Sequence, residues 1–422
     1  MRINRSISAL IKLRHQKVSH QNLNRLKKFY SNHATKPFFT PFMTTRQPMY
    51  DNQGVVQNVS SITYRWNGSR NTTRKMSSVN KPETKYSVQL ATTKTKPLSR
   101  SSHGISMFDH KVFVFGGEHT ARVPIGSQLY SLDLTSTNPD WVEVEVENAP
   151  PPRVAHAQTI VGSWLYIFGG RQGIHMNEAP LNDMYRIDLA SSTTLRWEKV
   201  ELTGDIPCER SFHGICSGQN CNGGSSIYVF GGCGASGRMN DVHELDLETL
   251  VWKEHPSCDD IIGRGGACFF CVDQSLYVVC GFIGEETNDA YSYNLKTNEW
   301  RVETGVTGKF RPRSVCGHSV FHQNGQDYLA IFGGEVNPSE KGHEGAGGFS
   351  NDLLLFSINN ETGQLDAVID CALNGTAATP RGWTTMVSDN CHGRLLMFGG
   401  LSGSDEAPNR LDDTVILDIA CK

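Results

Sequence analysis

The sequence predicts an all-β fold, a six-bladed β-propeller, and three observations carry this prediction. Six short apolar runs each end at a glycine turn, and they read VFVFGG, LYIFGG, IYVFGG, LYVVCG, LAIFGG and LLMFGG. The runs recur with a period of roughly fifty residues, which is typical of propeller blades. Each repeat also carries the residue patterns of several consecutive strands, so one blade corresponds to one repeat.

The four strands of a repeat are named a, b, c and d in chain order. Strand b is the continuous apolar run, which suits a strand covered on both faces, and the glycines after it allow backbone angles that a β-carbon forbids. Strand c alternates apolar and polar residues, as in DMYRIDL and DVHELDL. Strand d begins at a tryptophan in four repeats, and in the fifth it is predicted near Gln364 to Asp370. The four tryptophans, interpreted as core residues between blades, are Trp141, Trp197, Trp252 and Trp300.

An arginine precedes strand a in every repeat. Strands of an antiparallel meander alternate in direction, so the segment before strand a and the b–c loop are expected on the same rim of the ring, near the central channel. Pairing with carboxylates of the turns and contact with a ligand are both open as roles for these arginines. They are Arg100, Arg153, Arg210, Arg264, Arg313 and Arg381.

The sixth repeat lacks its own outer strand, because the chain reaches Lys422 directly after strand c. The segment Lys85-Tyr-Ser-Val-Gln-Leu, just before the first repeat, is available to fill that place. Borrowing it would close the ring and remove the exposed strand edges that otherwise promote aggregation. The sequence therefore predicts a six-bladed propeller over residues 84–422, closed by an N-terminal strand.

Residues 1–83 are predicted to form a disordered, basic extension. The first fifty residues contain ten Lys or Arg and no Asp or Glu, and apolar residues recur among them at helical spacing. That composition is typical of an amphipathic transit peptide, which would direct the chain to mitochondria. A solvated tail or an incorrectly assigned start codon explains it equally, and the cytoplasm is then the expected location.

Beyond Tyr50 there are 30 basic and 43 acidic residues, a net charge of −13. Nucleic acid is therefore excluded as the expected ligand, because phosphate binding needs concentrated positive charge. No apolar run approaches the ~20 residues that a membrane-spanning helix needs. The twelve cysteines all follow residue 207, and we expect reduced thiols in the core rather than disulfides. Cys268 and Cys271 have metal-like spacing, but residues three apart in a strand face opposite ways.

The b–c loop of the fifth repeat is the longest on the expected functional rim. It runs from Glu335 to Ser350 and contains three carboxylates and one histidine: Glu335, Glu340, His343 and Glu344. Carboxylate and imidazole together suit iron(II) sites that leave coordination positions open for a substrate. A solvated acidic loop with an isolated histidine is the alternative interpretation.

These repeats resemble kelch repeats, and in particular those of the plant nitrile-specifier, epithiospecifier and thiocyanate-forming proteins. The similar segments extend over the whole predicted propeller, and the loop at Glu335 and the Arg381-Gly-Trp383 sequence are the most specific of them. The others are Arg100-Ser-Ser-His-Gly-Ile, Phe168-Gly-Gly-Arg171, Gly237-Arg238-Met-Asn-Asp and Phe310-Arg-Pro-Arg-Ser-Val.

The resemblance implies an iron(II) cofactor and an activity on the unstable aglucones that myrosinase releases from glucosinolates, which such proteins divert to nitriles, epithionitriles or thiocyanates. The family's iron ligands, a Glu, an Asp and a His four residues apart, correspond here to Glu335, Ser339 and His343. Serine in place of aspartate should weaken iron binding unless Glu340 or Glu344 substitutes. The family's substrate cradle corresponds to Arg171, Phe212, Arg238 and Trp383, where arginine could pair with the sulfate leaving group.

Two other functions stay open. A kelch propeller without enzymatic activity could bind a protein partner across the same rim, and no companion adaptor domain is evident in the sequence. A sugar-binding or sugar-oxidising propeller is a third interpretation, although no cofactor-forming Cys–Tyr arrangement can be assigned. The expected ligand is therefore either a small sulfur-containing molecule or a protein.

Overall fold

The computed structural model describes residues 84–173 and 180–420, all within a compact unit that spans Ser78–Lys422. The predicted extension over residues 1–83 lies outside the described residues. Six antiparallel sheets are arranged as the predicted six-bladed propeller, which confirms the fold class. None of the helical segments described is long and apolar enough to cross a membrane.

Each blade contains four strands in the order a to d from the channel outward. Blade 1 comprises Gly104–Phe108, Lys111–Phe115, Leu129–Asp133 and Trp141–Val144. Blade 2 comprises Ala157–Val161, Trp164–Gly170, Leu181–Asp188 and Glu198–Lys199. Blade 3 comprises Gly214–Gln219, Ser225–Gly234, Gly237–Asp246 and Val251–His255. Blade 4 comprises Cys268–Val272, Ser275–Phe282, Glu286–Asn294 and Glu299–Val302. Blade 5 comprises Gly317–Gln323, Gln326–Phe332, Leu353–Ile358 and Leu365–Asp370. Blade 6 comprises Met386–Asp389, Arg394–Phe398, Thr414–Ala420 and, as strand d, Lys85–Leu90.

Short elements decorate this ring at both ends. Three b–c loops form two-stranded hairpins, and the one in blade 5 also contains a 3₁₀ turn, Gly342–Glu344. The hairpins are Glu118–Thr120 with Val123–Pro124, Glu335–Asn337 with Gly348–Phe349, and Leu401–Ser404 with Ala407–Arg410. Outer segments that add a parallel pairing are Val146–Glu147 with Leu195–Arg196, Thr203–Gly204 with blade 3, and Ala372–Leu373 with blade 6.

The N-terminal strand closes the ring as predicted. Lys85–Leu90 runs antiparallel to Thr414–Ala420, with pairs from Lys85↔Ala420 to Leu90↔Val415. Tyr86 is buried in the core shared by blades 5 and 6, and its hydroxyl donates to the Asn351 carbonyl at 3.3 Å. The chain's two ends are therefore held by backbone hydrogen bonds and by burial of apolar surface.

Five of the six repeat arginines pair with carboxylates inside the protein. Each is almost fully buried and forms two parallel N–H···O contacts with an aspartate at the start of strand c, at 2.6–3.2 Å. The same guanidinium also donates to the carbonyl of the first residue of the glycine turn, at 2.9–3.1 Å. The pairs are Arg153–Asp183, Arg210–Asp241, Arg264–Asp289, Arg313–Asp352 and Arg381–Asp413. Their role is therefore structural.

The second residue of each glycine turn ties its blade to the next one. Its N–H donates to the carbonyl of the next blade's repeat arginine, and the sixth bond returns from Gly400 to Arg100. The six bonds measure 2.8–3.0 Å. The glycines adopt positive φ, from 93° at Gly170 to 118° at Gly281, a range that residues with a β-carbon rarely adopt.

Tryptophans fill the space between blades, as expected. Trp141, Trp197 and Trp252 are buried in separate apolar clusters. Trp300 is only partly buried, and its indole N–H donates to the Pro256 carbonyl at 2.8 Å. Blade 5, which has no such tryptophan, still forms strand d where the sequence predicts it.

Arg100 of blade 1 is the exception among the repeat arginines, because Gln128 occupies the position that holds aspartate in the other five blades. Its Nη2 is buried without a hydrogen-bond partner among the described residues. Burial lowers the Arg100 pKa to about 10, and proximity to Tyr130 opposes that change. A buried charge with no counter-ion costs stability.

We therefore expect Gln128→Asp to stabilise the protein by about 1–2 kcal/mol, since charge-assisted hydrogen bonds are worth that much. Urea denaturation measures the change in the free energy of unfolding. Gln128→Asn, which changes the side chain without adding charge, is the control. A Gln128→Asp protein no more stable than the Asn variant would contradict the prediction.

Candidate functional site

A ring of strained residues surrounds the mouth of the central channel. The residue two positions after each repeat arginine has positive φ, from 47° at Val315 to 63° at Gly266. The N–H of each donates to the carbonyl of the equivalent residue in the preceding blade, at 2.8–2.9 Å, and the six bonds form a closed circle. The members are Ser102, Ala155, Phe212, Gly266, Val315 and Trp383.

Positive φ is uncommon for residues with bulky or β-branched side chains, yet three of the six ring residues are Phe212, Val315 and Trp383. Such strain persists only where the surroundings impose it, and it concentrates at functional sites. Here the circle of hydrogen bonds imposes it. The backbone thereby fixes the two aromatic side chains at the channel mouth.

A cavity of about 200 Å³ opens beside this ring, between blades 3, 4, 5 and 6. Six of the seven site residues predicted from the sequence line it: Phe212, Arg238, Glu335, Ser339, His343 and Trp383. Arg171 does not line it. Its Nε donates to the Ser211 hydroxyl at 2.8 Å, and its charge acts on His343. The structure thus brings together side chains that lie up to about 170 positions apart in the chain.

His343 completes an aromatic cluster with two members of the ring. Its imidazole lies 5.1 Å from the Phe212 ring, nearly parallel, and 4.7 Å from the Trp383 ring, steeply inclined. Burial, and then the charges of Arg122, Arg171 and Arg410, lower the His343 pKa to about 4. The imidazole is therefore neutral at pH 7, which leaves a nitrogen able to accept a hydrogen bond or bind a metal.

Glu335 is the buried carboxylate of the cavity, with only 6% of its surface exposed. Burial, and then the nearby charge of Glu286, raise its pKa to about 7, while the Ser339 N–H and the Trp383 side chain oppose the change. The Ser339 N–H donates to Glu335 Oε1 at 3.2 Å. Near neutral pH this carboxyl can therefore carry or release a proton.

Ser339 is held by a residue that the sequence analysis missed. Asp405, in the blade 6 hairpin, accepts a hydrogen bond from the Ser339 hydroxyl and also from the N–H groups of Glu340 and Ala346, at 3.0 and 3.1 Å. The two neighbours expected to replace the missing aspartate, Glu340 and Glu344, are exposed to solvent and do not line the cavity. A carboxylate does approach position 339, but from another blade.

Arginines missed by the sequence analysis also surround the cavity. Arg122 and Arg410 come from the rim hairpins of blades 1 and 6, and their charges act on His343 together with that of Arg171. Arg410 lies 3.6 Å from the Glu118 carboxylate, and its Nε is buried without a partner among the described residues. Arg238 lies over the Phe282 ring at 4.6 Å. The cavity can therefore attract an anion.

The donors at the cavity form only part of the expected iron site. Glu335 and His343 line it, but among the described residues they join no third His, Cys, Asp or Glu within ligand distance. The Ser339 hydroxyl is engaged with Asp405. The set is one carboxylate short of the family pattern, so it does not fit iron(II) as arranged.

A family model described as the KLHDC2/KLHL20/DRC7 Kelch-repeats domain matches residues 55–281 and 220–334. Together these spans cover more than half of the chain. The chain belongs to this Kelch-repeat family. Among solved structures, one titled "Structure of YjhT" aligns with a TM-score of 0.57 over 78% of this chain and 99% of that chain, at 16% identity. That similarity shows the propeller fold alone.

Three curated relatives of this Kelch protein come from plants. N-(sulfonatooxy)prop-2-enimidothioate sulfolyase of Thlaspi arvense is 27% identical over 343 residues, which cover 75% of this chain and 92% of that protein. Putative adagio-like protein 2 of Oryza sativa subsp. japonica is 30% identical over 259 residues, and acyl-CoA-binding domain-containing protein 4 of Arabidopsis thaliana is 25% identical over 310 residues. These alignments cover 39% and 43% of those two proteins.

Asp405 fixes the blade 5 loop onto the cavity, and its removal tests this role. We expect Asp405→Ala to increase amide hydrogen exchange at Glu340 and Ala346, because both N–H groups lose their acceptor. Global stability should change by no more than about 0.5 kcal/mol, as at other surface positions. Hydrogen-exchange mass spectrometry of the loop peptides measures the first effect.

Glu406→Ala removes the exposed carboxylate next to Asp405, which accepts a hydrogen bond from Ser404 of its own hairpin, and serves as the matched control. Equal exchange in the Asp405→Ala and Glu406→Ala proteins would show that the loop is ordered by other contacts.

Proposed function

We propose that this Kelch protein is a specifier-type lyase that eliminates sulfate from an N-sulfonatooxy imidothioate or a related sulfur compound, with nitriles as products. One observation carries the proposal: Arg238, Glu335, His343 and the Phe212–Trp383 pair line one cavity on the rim. The similarity to the Thlaspi arvense sulfolyase over nearly its whole length supports the same class of reaction.

The charge distribution suits such a substrate. A sulfate ester is an anion. Arg238 lines the cavity, and the charges of Arg122, Arg171 and Arg410 act on His343 within it. Arginine presents a planar fork of donors that matches the oxygens of such a group. Phe212, Phe282 and Trp383 supply the apolar wall against which the organic side chain would pack.

Formation of a nitrile breaks two bonds of the imidothioate. The electron pair of the N–O bond leaves with the sulfate oxygen, and the electron pair of the C–S bond becomes the third bond of the nitrile, so the thiolate sulfur is released as elemental sulfur. Negative charge therefore grows on sulfate in the transition state, where fixed arginine donors stabilise it more than they stabilise the substrate. The neutral His343 imidazole and the Glu335 carboxyl line the same cavity as Arg238, and they can accept or hold a proton there. The aromatic cluster excludes water from the reacting atoms.

To test this activity, purified protein is mixed with iron(II), a glucosinolate bearing a small side chain and myrosinase, and nitriles are quantified by gas chromatography. We expect nitrile formation above a protein-free control. Arg238→Gln should reduce it by about 10²-fold or more, the typical loss for one transition-state donor. Arg196→Gln, which changes an exposed arginine on the outer edge of blade 2, should leave it unchanged.

Product mixtures identical to the protein-free control would overturn the proposal. They would favour the alternative function, a propeller without enzymatic activity that binds a protein across the same rim.

Iron(II) is a separate proposal that rests on the resemblance alone, because the residues at the ligand positions, Glu335, Ser339 and His343, are one carboxylate short of the family's set. Ser339→Asp would restore the missing carboxylate, and we expect it to tighten iron(II) binding. The new carboxylate would face Asp405, so the gain should be larger in Ser339→Asp/Asp405→Asn. Anaerobic titration with iron(II) measures the affinity, and Glu340→Gln, at an exposed carboxylate of the same loop, is the control.

If neither the single nor the double variant binds iron(II) more tightly than the natural sequence, the blade 5 loop is not an iron site. That result would leave the proposed sulfate elimination untouched, since the product assay tests it independently.

A further inference from the structure

Blade 4 departs from the repeat at its glycine turn. In the other five blades the first residue of the turn is glycine: Gly116, Gly169, Gly231, Gly333 and Gly399. Blade 4 has Cys280 there, in the same positive-φ conformation, with φ of 55°. A cysteine gains no conformational advantage at such an angle, so its side chain needs another explanation.

The residue that contacts this turn from the next blade has changed as well. In blades 1 and 2 a histidine fills that place, and a β-carbon on Gly116 would lie 2.7 Å from His156 Cε1. A β-carbon on Gly169 would lie 3.0 Å from His213 Cε1. Histidine would therefore clash with a cysteine at the turn. Blade 5 has Cys316 at this place, which in the other blades holds His103, His156, His213, Ala267 or Thr384, so a cysteine occurs here in the blade that contacts the cysteine turn.

A third cysteine converges on the same point. Cys268 begins strand a of blade 4, at a position that holds glycine, alanine or threonine in the other blades: Gly104, Ala157, Gly214, Gly317 and Thr385. Its Sγ lies 3.7 Å from Cys280 Sγ, and the three sulfurs all lie within 4.8 Å of one another. Three departures from the repeat, from two blades, thus form one cluster.

The cluster is buried in apolar surroundings and contains no disulfide bond. Cys268 and Cys280 are fully buried and Cys316 is 4% exposed, and they pack among Ala290, Leu329 and Ile331. All three are free thiols in the structure. Cys316 also lines the central channel, which gives a route from solvent to the sulfurs.

Cysteine binds metals as the thiolate, so binding of an ion at this cluster would release protons from its thiols.

We propose that Cys268, Cys280 and Cys316 form a binding site for copper(I). A metal–thiolate bond of about 2.3 Å places three sulfurs around one ion about 4 Å apart, close to the separation of Cys268 and Cys280. Soft sulfur ligands select copper(I), zinc and iron–sulfur clusters. Zinc sites of this kind require four ligands, and the described residues offer no fourth His, Cys, Asp or Glu beside the three sulfurs. Copper(I) is satisfied by three thiolates.

The site is distinct from the cavity but adjoins it. Phe282 and Val315, which line the cavity, are within two residues of Cys280 and Cys316. Metal binding at the three sulfurs would fix the backbone at both positions. The bound ion would thereby join blades 4 and 5 next to the residues that line the cavity.

The test uses the full chain, reduced and free of oxygen, mixed with one equivalent of copper(I) and an excess of the chelator bicinchoninate. We expect one copper(I) per chain to be retained, with a thiolate-to-copper absorption band in the ultraviolet. Cys280→Gly, which restores the glycine of the other blades and should fold normally, and Cys316→Ala should each lose that copper and the band. Near-ultraviolet circular dichroism checks that both variants are folded.

Two controls separate this site from the other thiols. Cys216→Ala removes another buried cysteine and Cys221→Ser an exposed one, and both should retain the copper. No retained copper in the natural sequence, or equal retention in Cys280→Gly, would overturn the proposal. So would loss of copper only in Cys391→Ser, because that cysteine belongs to a separate group with His110 and Asp389.

Discussion

The hydrogen bonds that link neighbouring blades around the channel are the constraint on which the rest of this structure depends. Each blade donates from its glycine turn to the next blade's repeat arginine, and each residue of the inner ring donates to the preceding blade. Both sets are closed circles, so their last bonds can form only when blade 6 meets blade 1. The strand Lys85–Leu90 makes that meeting possible by completing blade 6.

Burial of the repeat arginines is unfavourable in itself, but the hydrogen bonds that they form stabilise the rim of the propeller. A guanidinium removed from water is unfavourable unless it is paired and its donors are satisfied. In blades 2 to 6 an aspartate, the glycine-turn carbonyl and a nearby carbonyl supply those partners. The arginine thereby fixes the distance between strands a, b and c at the rim. The loops above can then vary in length and sequence without disturbing the ring.

Periodicity predicted the ring well and the site only in part. The six glycine turns, the alternating c strands and the missing outer strand of blade 6 are local patterns, so they gave the blade count and the closure directly. Asp405 escaped because its contact with Ser339 joins two loops 66 residues apart, and no pattern marks it. The proximity of the Cys280 and Cys316 sulfurs was missed in the sequence analysis for the same reason. The one available signal was that each departs from its repeat position.

The repeat arginines show a second limit of sequence analysis: a regular pattern gives the position of a residue but not its role. Their position on the rim suggested a role in ligand binding as readily as a structural one, and only the paired aspartates decide between them. Arg171 and Arg238 lie outside that pairing scheme, since neither forms an ion pair among the described residues. The arginines free to meet an anion are those that do not repeat.

The charges of the cavity are kept apart. Glu335 and Glu286 both have raised pKa values because of burial, and arginine charges act on His343 close by. Within the described part of the chain no ion pair joins Glu335 to an arginine, although such pairing would relieve both groups. The aromatic side chains of Phe212, His343 and Trp383 stand in this space, held by strained backbone that the inner ring imposes. Arg171 and Arg238 form no ion pair among the described residues, so an anionic ligand would give their charges a partner on binding, while the apolar wall receives its organic part.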